Sequence, residues 1–276
     1  MRGRLTAIKN IAWALAIVLC LLAVFIGLLF AAFTRNSEEP FRAVPLGTRT
    51  ERAAKAEETG TRPTQQGDGT LQTPAETADA GQAYLDSLTF LIDSSLIGLR
   101  DYGVLSSASQ VWATPSGVLA VADMAESKIV FPNDGSIVSA ASAAMILQPK
   151  ILVISVGNDG VANMDQFDFI DKYATLVESI QKASPQTWIL CLPLTSVSLD
   201  YTNADGLTAA RCNETDTWIQ TVCSETGVYY CDAVSAVQDM SGMLLQEYAS
   251  ADGRTLNSTG ISQILQYLRY HAVGQG

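Results

Sequence analysis

The chain of 276 residues contains one histidine, His271. That scarcity restricts the chemistry open to it, because imidazole is the usual base that turns a hydroxyl into a nucleophile near neutral pH. Basic residues are also few. There are 17 Lys and Arg against 28 Asp and Glu, a formal net charge of −11, and from Gly81 onward eight basic residues face twenty acidic ones. A surface so acidic repels nucleic acid and anionic lipid headgroups, so neither is a partner of this part of the chain. Four cysteines lie beyond residue 33: Cys191, Cys212, Cys223 and Cys231. They form no CxxC pair and have no histidine beside them, which excludes the common zinc frameworks. Three disulfide pairings and free buried thiols all stay open. Cys212 and Cys223 would be about 16 Å apart on one helix, too far to bridge.

Charge is absent altogether from residues 11–33, a run of 23 apolar and small residues long enough to cross a bilayer as a helix. Arg2, Arg4 and Lys9 precede it, which keeps residues 1–10 in the cytoplasm by the positive-inside tendency. A cleaved signal peptide is the competing reading, but its apolar core would be shorter, about 7 to 15 residues. Cys20 follows the bulky Leu19 and makes a poor lipidation site. The expectation is a single-pass signal anchor in the cell membrane, with everything that follows outside the cytoplasm. Residues 34–80 are rich in Thr, Glu, Arg, Gln, Gly and Pro and hold few large apolar side chains. Such a stretch buries too little surface to offset its ordering entropy and reads as a disordered tether.

Residues 81–276 suffice for one domain. Short continuous apolar runs occur at residues 88–92 (LTFLI), 151–156 (ILVISV), 188–192 (WILCL) and 228–231 (VYYC). Runs without alternation mark strands covered on both faces of a parallel sheet. Helical stripes alternate with them: an Ala-rich segment at 136–147, the Ile170/Tyr173/Val177/Ile180 face, Trp218/Ile219/Val222, and Ile261/Ile264/Leu265/Leu268. This order predicts a three-layer α/β/α sandwich with a mainly parallel, flavodoxin-like sheet and right-handed crossovers. Residues 110–121 read as a hairpin turning at Pro115-Ser116-Gly117 on the rim. Ligands of such sheets bind beyond the carboxyl ends of the strands. Asp93-Ser94 and Gly157-Asn158-Asp159 should therefore meet at one edge.

The segments LTFLIDSSLIGLRDYGVL, ILVISVGNDG and ADGRTLN, in this order, resemble the blocks of the SGNH/GDSL hydrolases, particularly the membrane-tethered members of Gram-positive bacteria. The resemblance implies an esterase or deacetylase fold with the nucleophile position at Ser94, after Asp93. It puts the triad aspartate at Asp252 and the oxyanion asparagine position at Asp159, with Asn158 as the neighbouring alternative. It also implies a second oxyanion donor from a glycine, for which Gly117 is the candidate. The pattern departs from the family at three points. Ile92 stands for the glycine of the first block. Asp159 replaces a neutral donor with a carboxylate, which would oppose a developing oxyanion. Thr255 stands for the histidine, and a threonine hydroxyl accepts no proton at neutral pH. His271 falls sixteen residues on, at the far end of the last helix, and reads as a boundary histidine.

Loss of a triad base lowers the rate by about four to six orders of magnitude. The expected function is thus a catalytically impaired, membrane-anchored domain that binds an envelope glycan or a partner protein. The alternative is an active serine esterase or deacetylase acting on O-acylated envelope carbohydrates. A cation held by Asp93, Asp159 and Asp252 is a minor third reading. The domain is expected to have no metal and no cofactor.

Overall fold

The computed structural model describes residues 67–202 and 205–274. Residues 11–33, and with them the expected membrane anchor, lie outside the described residues.

Buried apolar runs form the middle of the domain. Strands β1 (Leu88–Ile92), β5 (Ile151–Ser155), β6 (Trp188–Cys191) and β7 (Tyr229–Tyr230) coincide with the four runs picked out in the sequence. With β2 (Val111–Trp112) at one edge, the sheet has order β2-β1-β5-β6-β7, and all its pairings are parallel. Alternate residues serve opposite faces. Leu91, Leu152, Ile154, Ile189 and Cys191 enter one core. Phe90, Ile92, Ile151, Val153 and Leu190 enter the other. The first is covered by α3 (Ala140–Leu147), α4 (Gln166–Ala183) and α5 (Ala209–Thr226). The second is covered by α1 (Gly81–Asp86), the short α2 (Gly98–Asp101) and α6 (Ser258–Tyr270). The architecture is the expected α/β fold, with helices on both faces of a five-stranded parallel sheet.

Helix termini follow local chemistry. Asp165 caps α4 by accepting from the Phe167 N–H, Thr208 caps α5 through Arg211, and Asn257 caps α6 through Thr259 and Gly260. Gly227 closes α5 in the left-handed conformation.

Two expectations need correction. Residues 110–121 form no hairpin. Val111–Trp112 is strand β2, parallel to β1 at the sheet edge, and the chain then turns at Thr114–Gly117. The hairpin lies further on, between β3 (Lys128–Val130) and β4 (Ile137–Ser139), whose last residue caps α3. Two strand residues are too few to show a period, and the flanking Pro-Ser-Gly resembles a hairpin loop. Residues 67–80, assigned by composition to the tether, run along the domain. Gln72 bridges to Tyr229, the Thr77 N–H donates to the Tyr270 carbonyl, and Asp79 pairs with Arg269, Nε to Oδ1 at 2.7 Å. Backbone hydrogen bonds and one ion pair hold this segment, so its apolar content gave little sign of it.

All four described cysteines are free and buried. Cys212 and Cys223 share α5, and burial pushes the Cys212 thiol up to about 12.

The turn after β5 depends on Gly157. Its φ is +132°, and a Cβ there would lie 2.8 Å from Leu194 Cδ2 and 3.2 Å from the Phe169 ring. Gly157→Ala should therefore destabilise the domain by about 2–3 kcal/mol through combined backbone strain and overpacking, read from urea denaturation.

Candidate functional site

The carboxyl edge of the sheet is organised by a buried acid. Asp93 follows β1 and accepts four hydrogen bonds. The Ser95 N–H and Oγ donate to Oδ1 at 3.0 and 2.6 Å, and the Gly157 and Asn158 N–H groups donate to Oδ2 at 2.9 and 2.8 Å. One side chain thus starts the helical turn at Ser94–Leu96 and ties it to the turn after β5. Burial and the nearby Asp159 charge push the Asp93 carboxyl well above the usual carboxylate range, against the pull of its donors.

Ser94 is half-buried and sits on this turn. Its hydroxyl donates to Asp159 Oδ1 at 2.5 Å, and its backbone N–H donates to Asp159 Oδ2 at 3.1 Å. The Leu119 N–H also donates to Oδ2, at 2.8 Å. Asp159 is itself buried, and its backbone carbonyl is held by the Val121 N–H. Its carboxylate therefore occupies the pair of convergent backbone donors that an acyl-transfer site uses for the substrate oxyanion.

Arg254 completes the arrangement. Its Nη2 donates to Asp159 Oδ1 at 2.7 Å and to the Asn158 carbonyl at 2.9 Å, while Nη1 lies 3.5 Å from Asp205 Oδ2. The Arg254 side chain is 17% exposed and that of Asp159 5%, so the pair is largely withdrawn from solvent. Partial withdrawal makes a charge-assisted bond strong and its disruption costly.

The last block reaches the same edge. The Leu256 N–H donates to the Ser95 carbonyl at 3.2 Å, next to Ser94. Asp252 is exposed and engaged locally. Its Oδ1 accepts from the Arg254 and Thr255 N–H groups, both at 2.9 Å, and the Thr255 hydroxyl donates to its two oxygens at 3.1 and 2.9 Å. Burial opposes ionisation of Asp252, but these donors and the Arg254 charge hold its carboxyl below the usual range. Thr255 thus partners Asp252 and supplies no imidazole.

The other sequence candidates fall elsewhere. The Asn158 side chain is buried and donates to the Thr195 carbonyl at 2.5 Å, so its amide serves the loop after β6. Gly117 lies against Ile97 and Arg100, and the backbone donor at the site is Leu119, two residues on. His271 stacks on Tyr267 at 3.8 Å, with Nδ1 2.9 Å from the Tyr267 carbonyl, at the end of α6 away from the site. Among the described residues no group of three or more His, Cys, Asp or Glu is placed to hold a metal. Arg254 and the Leu119 N–H were missed from sequence. A lone arginine between Asp252 and Thr255, in a domain poor in basic residues, was the signal for the first; a backbone N–H leaves none.

The model of the GDSL-like lipase/acylhydrolase family matches residues 136–261, a span that includes Asp159, Asp252 and Thr255 but not Ser94. No curated protein matches the chain. A structure from Streptococcus pneumonia, named for platelet activating factor, is similar over 70% of this chain and 91% of its own, at 14% identity and a TM-score of 0.50. A lipolytic-type protein of the G-D-S-L family from Desulfitobacterium hafniense is similar over 67% and 99% of the two chains, at 14% identity and a TM-score of 0.40. A carbohydrate esterase family 3 protein from Talaromyces cellulolyticus covers 66% and 93%, at 15% identity and a TM-score of 0.41. The first of these likenesses is one of fold.

The geometry gives two expected outcomes. Arg254→Leu leaves the Asp159 charge buried with only three short-range donors, and should cost about 2–3 kcal/mol in urea denaturation. The second concerns Asp216, on α5, which holds the loop after β6 by accepting from the Leu194 N–H at 2.7 Å. Burial raises its carboxyl to about 7. A raised folded-state value means that its stabilising contribution is full below about pH 4 and is lost as the pH rises through about 7. Asp216→Asn should therefore be more stable than wild type at pH 8, by about 2 kcal/mol after allowance for partial exposure, and should lose that advantage at pH 4.

Proposed function

For a domain that belongs to the GDSL-like lipase/acylhydrolase family, we propose a role in binding at the Ser94 edge, without ester hydrolysis by the family's serine mechanism. The observation that carries this reading is the Asp159 carboxylate. It accepts the Ser94 hydroxyl and fills both backbone donors, leaving no place for an oxyanion. The replacement of histidine by Thr255, which bonds only to Asp252 through its hydroxyl, supports the same conclusion.

The uncharged run at residues 11–33 supports placing the domain outside the cytoplasmic membrane, tethered to it. There its ligand is an envelope glycan or a partner protein.

One observation favours a second reading. At 2.5 Å, Ser94 Oγ and Asp159 Oδ1 are as close as a nucleophile and its base. On that reading the domain is an active esterase or deacetylase for O-acylated envelope carbohydrates, with Asp159 taking the serine proton. The same carboxylate would then have to vacate the donors that stabilise the intermediate, which makes the reading the weaker of the two.

Hydrolysis of p-nitrophenyl acetate separates them. The wild-type domain should turn over no faster than Ser94→Ala, and Asp159→Asn should not lower the rate. Thr255→His alone should gain little. Thr255→His with Asp159→Asn and Arg254→Leu should exceed Thr255→His by about two to three orders of magnitude, because base and oxyanion donor act on one transition state. Wild-type hydrolysis abolished by both Ser94→Ala and Asp159→Asn would replace the binding reading with the esterase.

A further inference from the structure

We infer that the Ser94 and Leu119 N–H groups and the Arg254 guanidinium form a carboxylate-binding pocket, which Asp159 fills from within and which, when that side chain is removed or swung aside, takes the carboxylate of a ligand. The inference rests on the site geometry behind the binding role and deepens it by naming the chemistry of the ligand.

The two oxygens of Asp159 define the pocket. Oδ2 receives the two converging backbone N–H groups at 3.1 and 2.8 Å, and Oδ1 receives the Ser94 hydroxyl at 2.5 Å and Arg254 Nη2 at 2.7 Å. Four donors on two oxygens, one carrying a full positive charge, match an ionised carboxylate better than a neutral carbonyl. Two of the donor residues have anchors other than the Asp159 side chain. Ser94 lies on the turn started by Asp93. Arg254 is also held by the Asn158 carbonyl and lies beside Asp205. Among the eight basic residues that follow Gly81, Arg254 is the one brought to the Ser94 edge by an ion pair with Asp159. A ligand carboxylate must compete with a tethered one, whose effective concentration is of millimolar order or above. The intact domain therefore binds a free monocarboxylate weakly, and removal of the Asp159 carboxylate unmasks the pocket.

The test uses the full domain and sodium acetate, compared with sodium chloride at equal ionic strength and with neutral acetamide. In Asp159→Ala, 50 mM acetate should raise the melting temperature by about 3 °C, whereas the wild type moves by less than about 1 °C and acetamide does nothing. Adding Arg254→Leu to Asp159→Ala should abolish the acetate effect. Glucuronate, with glucose as its neutral control, separates a sugar-borne carboxylate from a bare one. A shift with glucuronate assigns the pocket to acidic sugars, and a shift with acetate alone assigns it to small carboxylates. If Asp159→Ala is unfolded in chloride, recovery of cooperative unfolding in acetate supports the pocket. Recovery only through Arg254→Leu overturns it, since the defect would then be an unpaired charge. Equal acetate shifts in Asp159→Ala and wild type overturn it too. Ester hydrolysis by the wild type bears on the catalytic question and leaves these shifts unchanged, so the two ideas fail separately.

Discussion

A single buried acid organises the functional edge of this domain. Asp93 takes two donors from the turn that follows β1 and two from the turn that follows β5, so neighbouring strands end in register with one another. The two turns that carry Ser94 and Asp159 are fastened to one another by these bonds. Ser94 projects from the first turn, Asp159 from the second, and the distance between them is set before either makes a contact of its own. Burial raises the cost of ionising Asp93, and the four donors reduce that cost; the arrangement is stable because each lone pair is matched.

On this frame the chain has assembled a charge-neutral pair where an acyl-transfer site needs a neutral donor and a base. Asp159 alone would be a buried charge against a serine. Arg254 makes it tolerable, and each side chain accounts for the presence of the other. Thr255 and Asp252 satisfy one another at the rim in the same way. At the Ser94 edge each of these charged side chains therefore meets a partner of its own.

The sheet was legible because four of its strands are continuous apolar runs that must be covered twice, and α4 and α6 show clear stripes. Strand β2, at two residues, carried no readable period, and its Pro-Ser-Gly sequel imitated a hairpin. The segment at 67–80 was misjudged because backbone bonds and the Asp79–Arg269 pair hold it, while Leu71 is the one large apolar side chain it packs against the core. Within the site, block order pointed to Ser94, Asp159 and Thr255, and the fold brings the first two into contact. What that order could not show was how Asp159 is neutralised, since Arg254 is ninety-five residues away in sequence and the Leu119 donor is main chain.

The docked segment also fixes how the domain would carry mechanical load. The chain enters past the end of α5, pairs with β7 through a single bridge at Gln72, and then clasps the last turn of α6 through Thr77 and Asp79. Tension arriving through residue 67 would meet that lone bridge first. It then reaches the Arg269 clasp, at the end of α6 remote from Asn257 and the Ser94 edge. The β1–β5 ladder, with its five paired positions, lies two strands further in. A pulled domain would thus shed its N-terminal strap while the edge bearing Ser94 kept its shape.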